Sequence, residues 1–301
     1  MNYRTLVALF LSVTTLSVHA EQRWFEVELL IFERNVKIQD IKEQLSSQEI
    51  IVNSDDSISL LDPIRTSVCV HGEVCLSKRN PTVITSSVFD SQGNNFKRLD
   101  NSHLQLVSQR KKLARHANFE PVFHMAWRMP VKGPQASKPI HLFAGKNLAF
   151  NIQKRNKKNI IEDIKNDDVK PLSLTIDDTD TSQLAPIKEV TADLLTDKWA
   201  IDGNFKVYLN HYLYIDSQLI IRKEVTEDIV VPEQVIKLID DENGVQIAAQ
   251  SENNNVKNIE QQTVIKEILF DQSRRLRSEE IHYLDHPLMG IIVQIRKIPK
   301  H

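Results

Sequence analysis

Apolar and polar residues alternate strictly in several stretches of the chain, and each such stretch predicts a strand. Trp24-Phe-Glu-Val-Glu-Leu-Leu-Ile-Phe32 places Phe25, Val27, Leu29 and Ile31 on one face and then turns apolar on both, as a strand does when it leaves an edge and enters the middle of a sheet. In 120–129, Phe123, Met125, Trp127 and Met129 oppose Val122, His124, Ala126 and Arg128. Pro130 follows and predicts the end of that strand, because proline cannot donate to a ladder. Residues 138–145 predict a short strand. In 203–216, Phe205, Val207, Leu209, Leu213 and Ile215 share a face with His211, opposite Lys206, Tyr208, Asn210, Tyr212 and Tyr214. Asp216-Ser-Gln218 reads as the turn of a hairpin that returns along 219–224. The last two strands are read at 264–275 and 290–296, with Ile291, Val293 and Ile295 facing one way. The stretch between them reads as their connection, anchored by Pro287 and Gly290.

The helical period is clear once. Ser102-x-x-Gln105 reads as a capping box, and Leu106, Val107, Leu113, Ala114 and Ala117 form an apolar stripe beside Arg110, Lys111, Lys112 and Arg115. Weaker periodicity in 36–62 predicts one short helix with loops. Two polar stretches interrupt the pattern. Residues 153–197 separate a basic run (Lys154, Arg155, Lys157, Lys158) from aspartates (Asp167, Asp168, Asp177, Asp178, Asp180) without calcium-loop spacing, and 240–262 is rich in Asn, Gln and Glu; both read as loop insertions. The sum is an α+β fold, a mainly antiparallel sheet with at least one packed helix and two polar loop insertions. Residues 21–301 form one domain in this reading, or else two sub-domains at 21–150 and 198–301.

The first twenty residues change the compartment. Arg4, an apolar run from Leu6 to Leu16, and Val18-His-Ala20 before Glu21 form a secretory signal with cleavage expected after Ala20. Nothing later is apolar for long enough to be a membrane span. The 301 residues carry a net charge of −2, so no general attraction for nucleic acid or anionic lipid is expected. Cys69 and Cys75 are the two cysteines. In an oxidising compartment, with five residues between them, they are expected to pair as a disulfide; a metal or redox role has no supporting spacing.

Four blocks, in order, resemble the CsiV family of periplasmic peptidoglycan-binding proteins of Gram-negative bacteria. They are Arg23-Trp-Phe-Glu-Val-Glu-Leu-Leu-Ile-Phe32; Lys112-Leu-Ala-Arg115 through Phe123-His-Met-Ala-Trp-Arg128 to Pro139-Ile-His-Leu142 and Gly145; Val207-Tyr-Leu-Asn-His-Tyr-Leu-Tyr214; and Arg274-Arg-Leu-Arg-Ser-Glu-Glu-Ile-His-Tyr-Leu-Asp-His-Pro-Leu-Met-Gly290. The resemblance implies a non-enzymatic wall factor without cofactor, which supports a penicillin-binding synthase through an outer-membrane lipoprotein activator.

Sugar rings need flat apolar faces with hydrogen-bonding groups beside them, and peptide stems add carboxylates that suit bidentate arginine. The candidate binding residues are therefore Arg274, Arg275, Arg277, His282, Tyr283, Asp285, His286, Tyr208, Tyr212 and Trp127. The competing structural reading pairs the arginines with Glu279, Glu280 and Asp285 and has His282 and His286 bond loop carbonyls. Two other functions stay open at this point: an adaptor that touches proteins alone, and a zinc-dependent peptidoglycan hydrolase using His282, Asp285 and His286. The hydrolase reading lacks a His-Glu-x-x-His helix.

Overall fold

The structure is a computed structural model that describes residues 23–36, 38, 41, 46, 48–61, 67–68, 74–75, 77–85, 95–150, 197–231, 235–241, 244–250 and 258–298; for 67–68, 74–75 and the strands within 229–260 it describes the backbone alone. In chain order its elements are β1 (Arg23–Arg34), β2 (Ile58–Ser59), β3 (Ser67–Val68), β4 (Val74–Cys75), β5 (Val83–Ile84), β6 (Lys97–Arg98), helix α1 (Val107–Arg115), β7 (Phe119–Val131) and β8 (Ile140–Asn147). They continue as β9 (Trp199–Asn210), β10 (Tyr212–Val231), β11 (Val235–Asp241), β12 (Gly244–Gln250), β13 (Asn258–Leu276), β14 (Ile281–His286) and β15 (Met289–Lys297).

Two sheets face each other. Sheet 1 has the order β14-β15-β1-β7-β5, with β6 also on β7, and sheet 2 has the order β13-β10-β9-β8-β2. The long pairs are antiparallel, whereas the short pairs β2–β8 and β5–β7 are parallel, so both sheets are mixed. The alternation read in 24–32 and 120–129 has a direct cause here: Leu29, Ile31, Met125 and Trp127 point from sheet 1 into Ile201, Phe205, Ile215 and Leu219 of sheet 2. Trp127 meets Phe205 edge-on at 6.2 Å across the gap. Each such fully buried side chain contributes about 1.5–3 kcal/mol of apolar transfer.

The helix therefore covers one outer face rather than the main core. Around it, Val83, Leu99, Leu104, Val107 and Ala126 form a small second cluster on sheet 1, and no residue of α1 itself is fully buried. The expected capping box is replaced by two separate acceptors. Asp100 Oδ1 accepts from the Ser102 N–H at 2.9 Å, and α1 starts later, at Val107. Glu28 of β1, fully buried, accepts from the N–H groups of Gln105 (2.9 Å) and Leu106 (2.8 Å) just before the helix. Its carboxylate also meets His124 Nε2 at 2.8 Å and Arg296 Nη1 at 2.7 Å. Burial opposes its ionisation, but the hydrogen bonds from His124, Leu106, Arg296 and Gln105 outweigh that and hold its pKa below the ordinary value of 4.5.

Several boundaries differ from expectation. Pro130 does not end β7; it pairs with Trp24 on one flank, while the register with β6 on the other flank stops at Arg128, so the missing N–H breaks no described ladder bond. The β9–β10 turn lies at His211, and Asp216–Gln218 is mid-strand. The presumed connection before Gly290 holds a strand of its own, β14, which carries the chain from sheet 2 into sheet 1. Much of the presumed loop at 240–262 is strand: β11 pairs with β12, and β13 starts at Asn258. Of the other insertion, 153–197, all but Asp197 lies outside the described residues, as does the signal segment 1–20. Cys69 and the side chain of Cys75 lie outside them too; the backbone register sets Cys75 opposite Ser67.

Candidate functional site

The outer face of sheet 2 is covered at one end and open at the other. At the covered end, Ser46 bridges Glu267, the Ile50 N–H donates to Glu267 Oε2 at 2.6 Å, and Asn204 Nδ2 donates to the Asn53 carbonyl at 2.7 Å. Beneath this strap Arg222 Nε donates to Glu267 Oε1 at 2.6 Å and its Nη1 reaches Asp202 at 3.4 Å. Burial disfavours a charged Asp202, but His141 at 2.8 Å and Arg222 more than compensate, so its pKa falls. All these charges are satisfied internally, which marks the end as structural.

The open end surrounds the β9–β10 turn. His211 has φ of 56°, a left-handed backbone that His tolerates far better than a β-branched residue, and it brings Asn210 opposite Tyr212. The register that follows sets Tyr208 opposite Tyr214 on one flank and Tyr214 opposite Arg275 on the other. The Tyr208 and Tyr214 rings stack at 5.5 Å with planes 10° apart. Tyr208 Oη donates to Asp216 Oδ1 at 3.3 Å, and Ser273 Oγ donates to the same oxygen at 2.6 Å. Burial, with the neighbouring Asp216 charge, pushes the Tyr208 pKa up.

Two cations lie on these rings. The Arg275 guanidinium sits 4.7 Å from the Tyr212 ring centroid, and Lys206 Nζ sits 5.7 Å from that of Tyr208. Among the described residues neither has an ion-pair partner. Tyr212 is 57% exposed, so one ring face is available beside the guanidinium.

The remaining candidates divide by the alternation of β14. His282, Leu284 and His286 point toward the other sheet, while Ile281, Tyr283 and Asp285 point outward, as the burial pattern records. The His286 ring is buried edge-on to Phe270 at 5.8 Å, and its Nδ1 accepts from the Leu288 N–H at 3.1 Å. His282 Nε2 lies 3.1 Å from the Arg277 nitrogen and 3.0 Å from its carbonyl oxygen, which fixes the turn between β13 and β14. The two histidines and Asp285 thus cannot converge on one ion, and among the described residues no group of three His, Cys, Asp or Glu is placed to hold a metal. Outward, Tyr283 Oη donates to Asp285 Oδ1 at 2.5 Å, and Arg34 Nη2 donates to Tyr283 Oη at 2.6 Å and pairs with Asp285.

A family profile described as peptidoglycan-binding protein, CsiV, matches residues 3–298. The chain belongs to the CsiV family. No curated protein and no solved structure gives a significant match. The CsiV match spans every strand of both sheets. Among the described residues no helix is long and apolar enough to cross a membrane.

Within this CsiV chain the ten sequence candidates do not form one surface. Tyr208, Tyr212 and Arg275 come together on the outer face of sheet 2. Tyr283 and Asp285 lie on the outer face of sheet 1, across the sandwich. Arg277 is exposed, with Glu280 at 3.7 Å, and Arg274 is exposed on the edge strand β13. Trp127 and His286 are packed in the core, Trp127 with no exposed surface and its Nε1 donating to Met129 Sδ at 3.3 Å. Lys206 and Arg34, which touch Tyr208 and Tyr283, are not among the ten sequence candidates. Lys206 shares the outward alternation of the tyrosines and was legible; Arg34 meets Tyr283 only through strand pairing, which no local pattern signals.

Proposed function

We propose that this protein is a periplasmic, non-enzymatic peptidoglycan-binding protein that contacts the wall through the tyrosine face beside the β9–β10 turn. The observation that carries this reading is the pair of cations held on tyrosine rings: Arg275, with no ion-pair partner among the described residues, and Lys206, whose cross-strand neighbour is Asp216. Stem-peptide carboxylates match a guanidinium that has no ion-pair partner among the described residues and can donate two hydrogen bonds from its edge, and the rings match the apolar surfaces next to them. The family description supports the ligand, and residues 1–20, read as a signal, support the compartment. Each sheet draws strands from both halves of the chain, which supports treating 21–301 as one domain. Bound to the wall in this way, the protein would support a penicillin-binding synthase and its outer-membrane lipoprotein activator, the role that the family resemblance implies.

Co-sedimentation of the processed protein with purified sacculi tests the reading. It is expected to pellet with the sacculi and to release no soluble muropeptides. Protein that stays in the supernatant across a range of salt concentrations would overturn it.

A further inference from the structure

The opposite face of the sandwich carries a second flat aromatic surface with different chemistry. Gly290 of β15 lies opposite Phe32 on one side and Asp285 on the other. A Cβ at Gly290 would stand 2.4 Å from Phe32 Cζ and 2.9 Å from Tyr283 Cε2. The bare glycine backbone therefore lets both rings lie down on the sheet, with planes 6° apart and centroids 6.3 Å apart. Phe119 then meets Phe32 edge-on at 5.2 Å, and Phe32 is buried. Tyr283 stays 45% exposed, an open aromatic plate.

A polar rim borders that plate. Asp285, with its side chain 61% exposed, accepts a hydrogen bond from the Tyr283 hydroxyl at Oδ1 and pairs with Arg34 there, and no described residue bonds its Oδ2. The charges of Arg34 and Asp285 cancel, whereas Arg275 on the tyrosine face has no ion-pair partner among the described residues. A neutral ligand with an apolar flat side and hydroxyl groups at its edge fits this surface, whereas a carboxylate would meet Asp285. A pyranose is such a ligand: its C–H face stacks on an aromatic ring, and its hydroxyls donate to a carboxylate at the rim.

We propose that Tyr283, Asp285 and Arg34 form a glycan subsite that takes an N-acetylated hexosamine ring of a wall strand, on the face opposite the cationic tyrosines. The choice of sugar rests on the wall-binding reading, but the site does not depend on the tyrosine face. A protein with sugar contacts on one side and stem contacts on the other can hold two strands at once.

Soluble glycan strands stripped of their peptide stems, titrated into the processed protein by calorimetry, provide the test. The wild type is expected to bind them, Tyr283→Ala to lose about fivefold or more in affinity, and Tyr283→Phe to retain it within about twofold, since the ring does the stacking. Asp285→Asn, which keeps the shape, is expected to lose affinity while its melting temperature is unchanged. Failure of stripped strands to bind, or equal binding by Tyr283→Ala and Asp285→Asn, overturns the subsite while sacculi still pellet the protein. If sacculi also fail to pellet it, the wall-binding reading falls as well.

Discussion

Tyr208 and Tyr214 stack face to face because His211, between them in the chain, holds a left-handed backbone that folds β9 onto β10. The turn residue is thus what builds the candidate face. His211→Val is expected to cost about 1–2 kcal/mol, because a β-branched residue pays the full left-handed penalty. His211→Gly, free of that penalty, should stay within about 1 kcal/mol of the wild type. Urea unfolding midpoints of the two variants check the order.

At the open end of sheet 2, Tyr212→Ala and Arg275→Ala are each expected to weaken sacculus binding by several-fold, at a stability change within about 0.5 kcal/mol for such exposed positions. Added salt should weaken the wild type more than Arg275→Ala, because screening acts on the charge the variant lacks. Pelleting assays over a salt series, with melting curves in parallel, separate recognition from folding. A large loss of melting temperature would show that these side chains are structural.

Glu28 ties three strands and the approach to α1 together. Glu28→Gln is expected to cost about 3–5 kcal/mol, the usual penalty for removing one partner of a buried pair. Because the folded-state pKa of Glu28 is depressed, its contribution is fully present above about 4.5 and is lost as pH falls through the lower folded value. The melting temperature of the wild type should therefore drop below that pH more steeply than that of the variant.

In the core, Trp127→Ala removes a fully buried ring between the sheets and is expected to cost about 3–5 kcal/mol. The fraction that remains folded should bind sacculi as the wild type does, which a binding assay normalised to the folded population would reveal. Reduced affinity per folded molecule would instead show that Trp127 takes part in binding.

The strands that read most clearly were those with one face in the core, and the structure explains why. In β1 and β7 the inward residues Val27, Leu29, Met125 and Trp127 meet the opposite sheet, so period-two alternation follows directly. The hairpin turn was misplaced for an equally physical reason. With Asn210 facing Tyr212, even-numbered residues stay on the outer face of both arms; the alternation runs through His211 without a break in phase. The tyrosine face was consequently legible although its turn was not. β14 was hidden because His282, Asp285 and His286 resemble turn chemistry, while their alternation is that of a strand with histidines inward. The two-sheet layering was beyond local pattern altogether, since β1 finds its partners in β7 and in β15 at the other end of the chain.

That last pairing has a consequence for biogenesis. β1, apolar on both faces over much of its length, takes its second neighbour from residues 289–297, which follow all the other described strands in chain order. Without β15, one flank of β1 is a bare ladder beside a greasy surface, the kind of edge on which chains aggregate. A copy truncated before Met289 would keep that flank open, so β1 is closed on both sides only once β15 is present and paired.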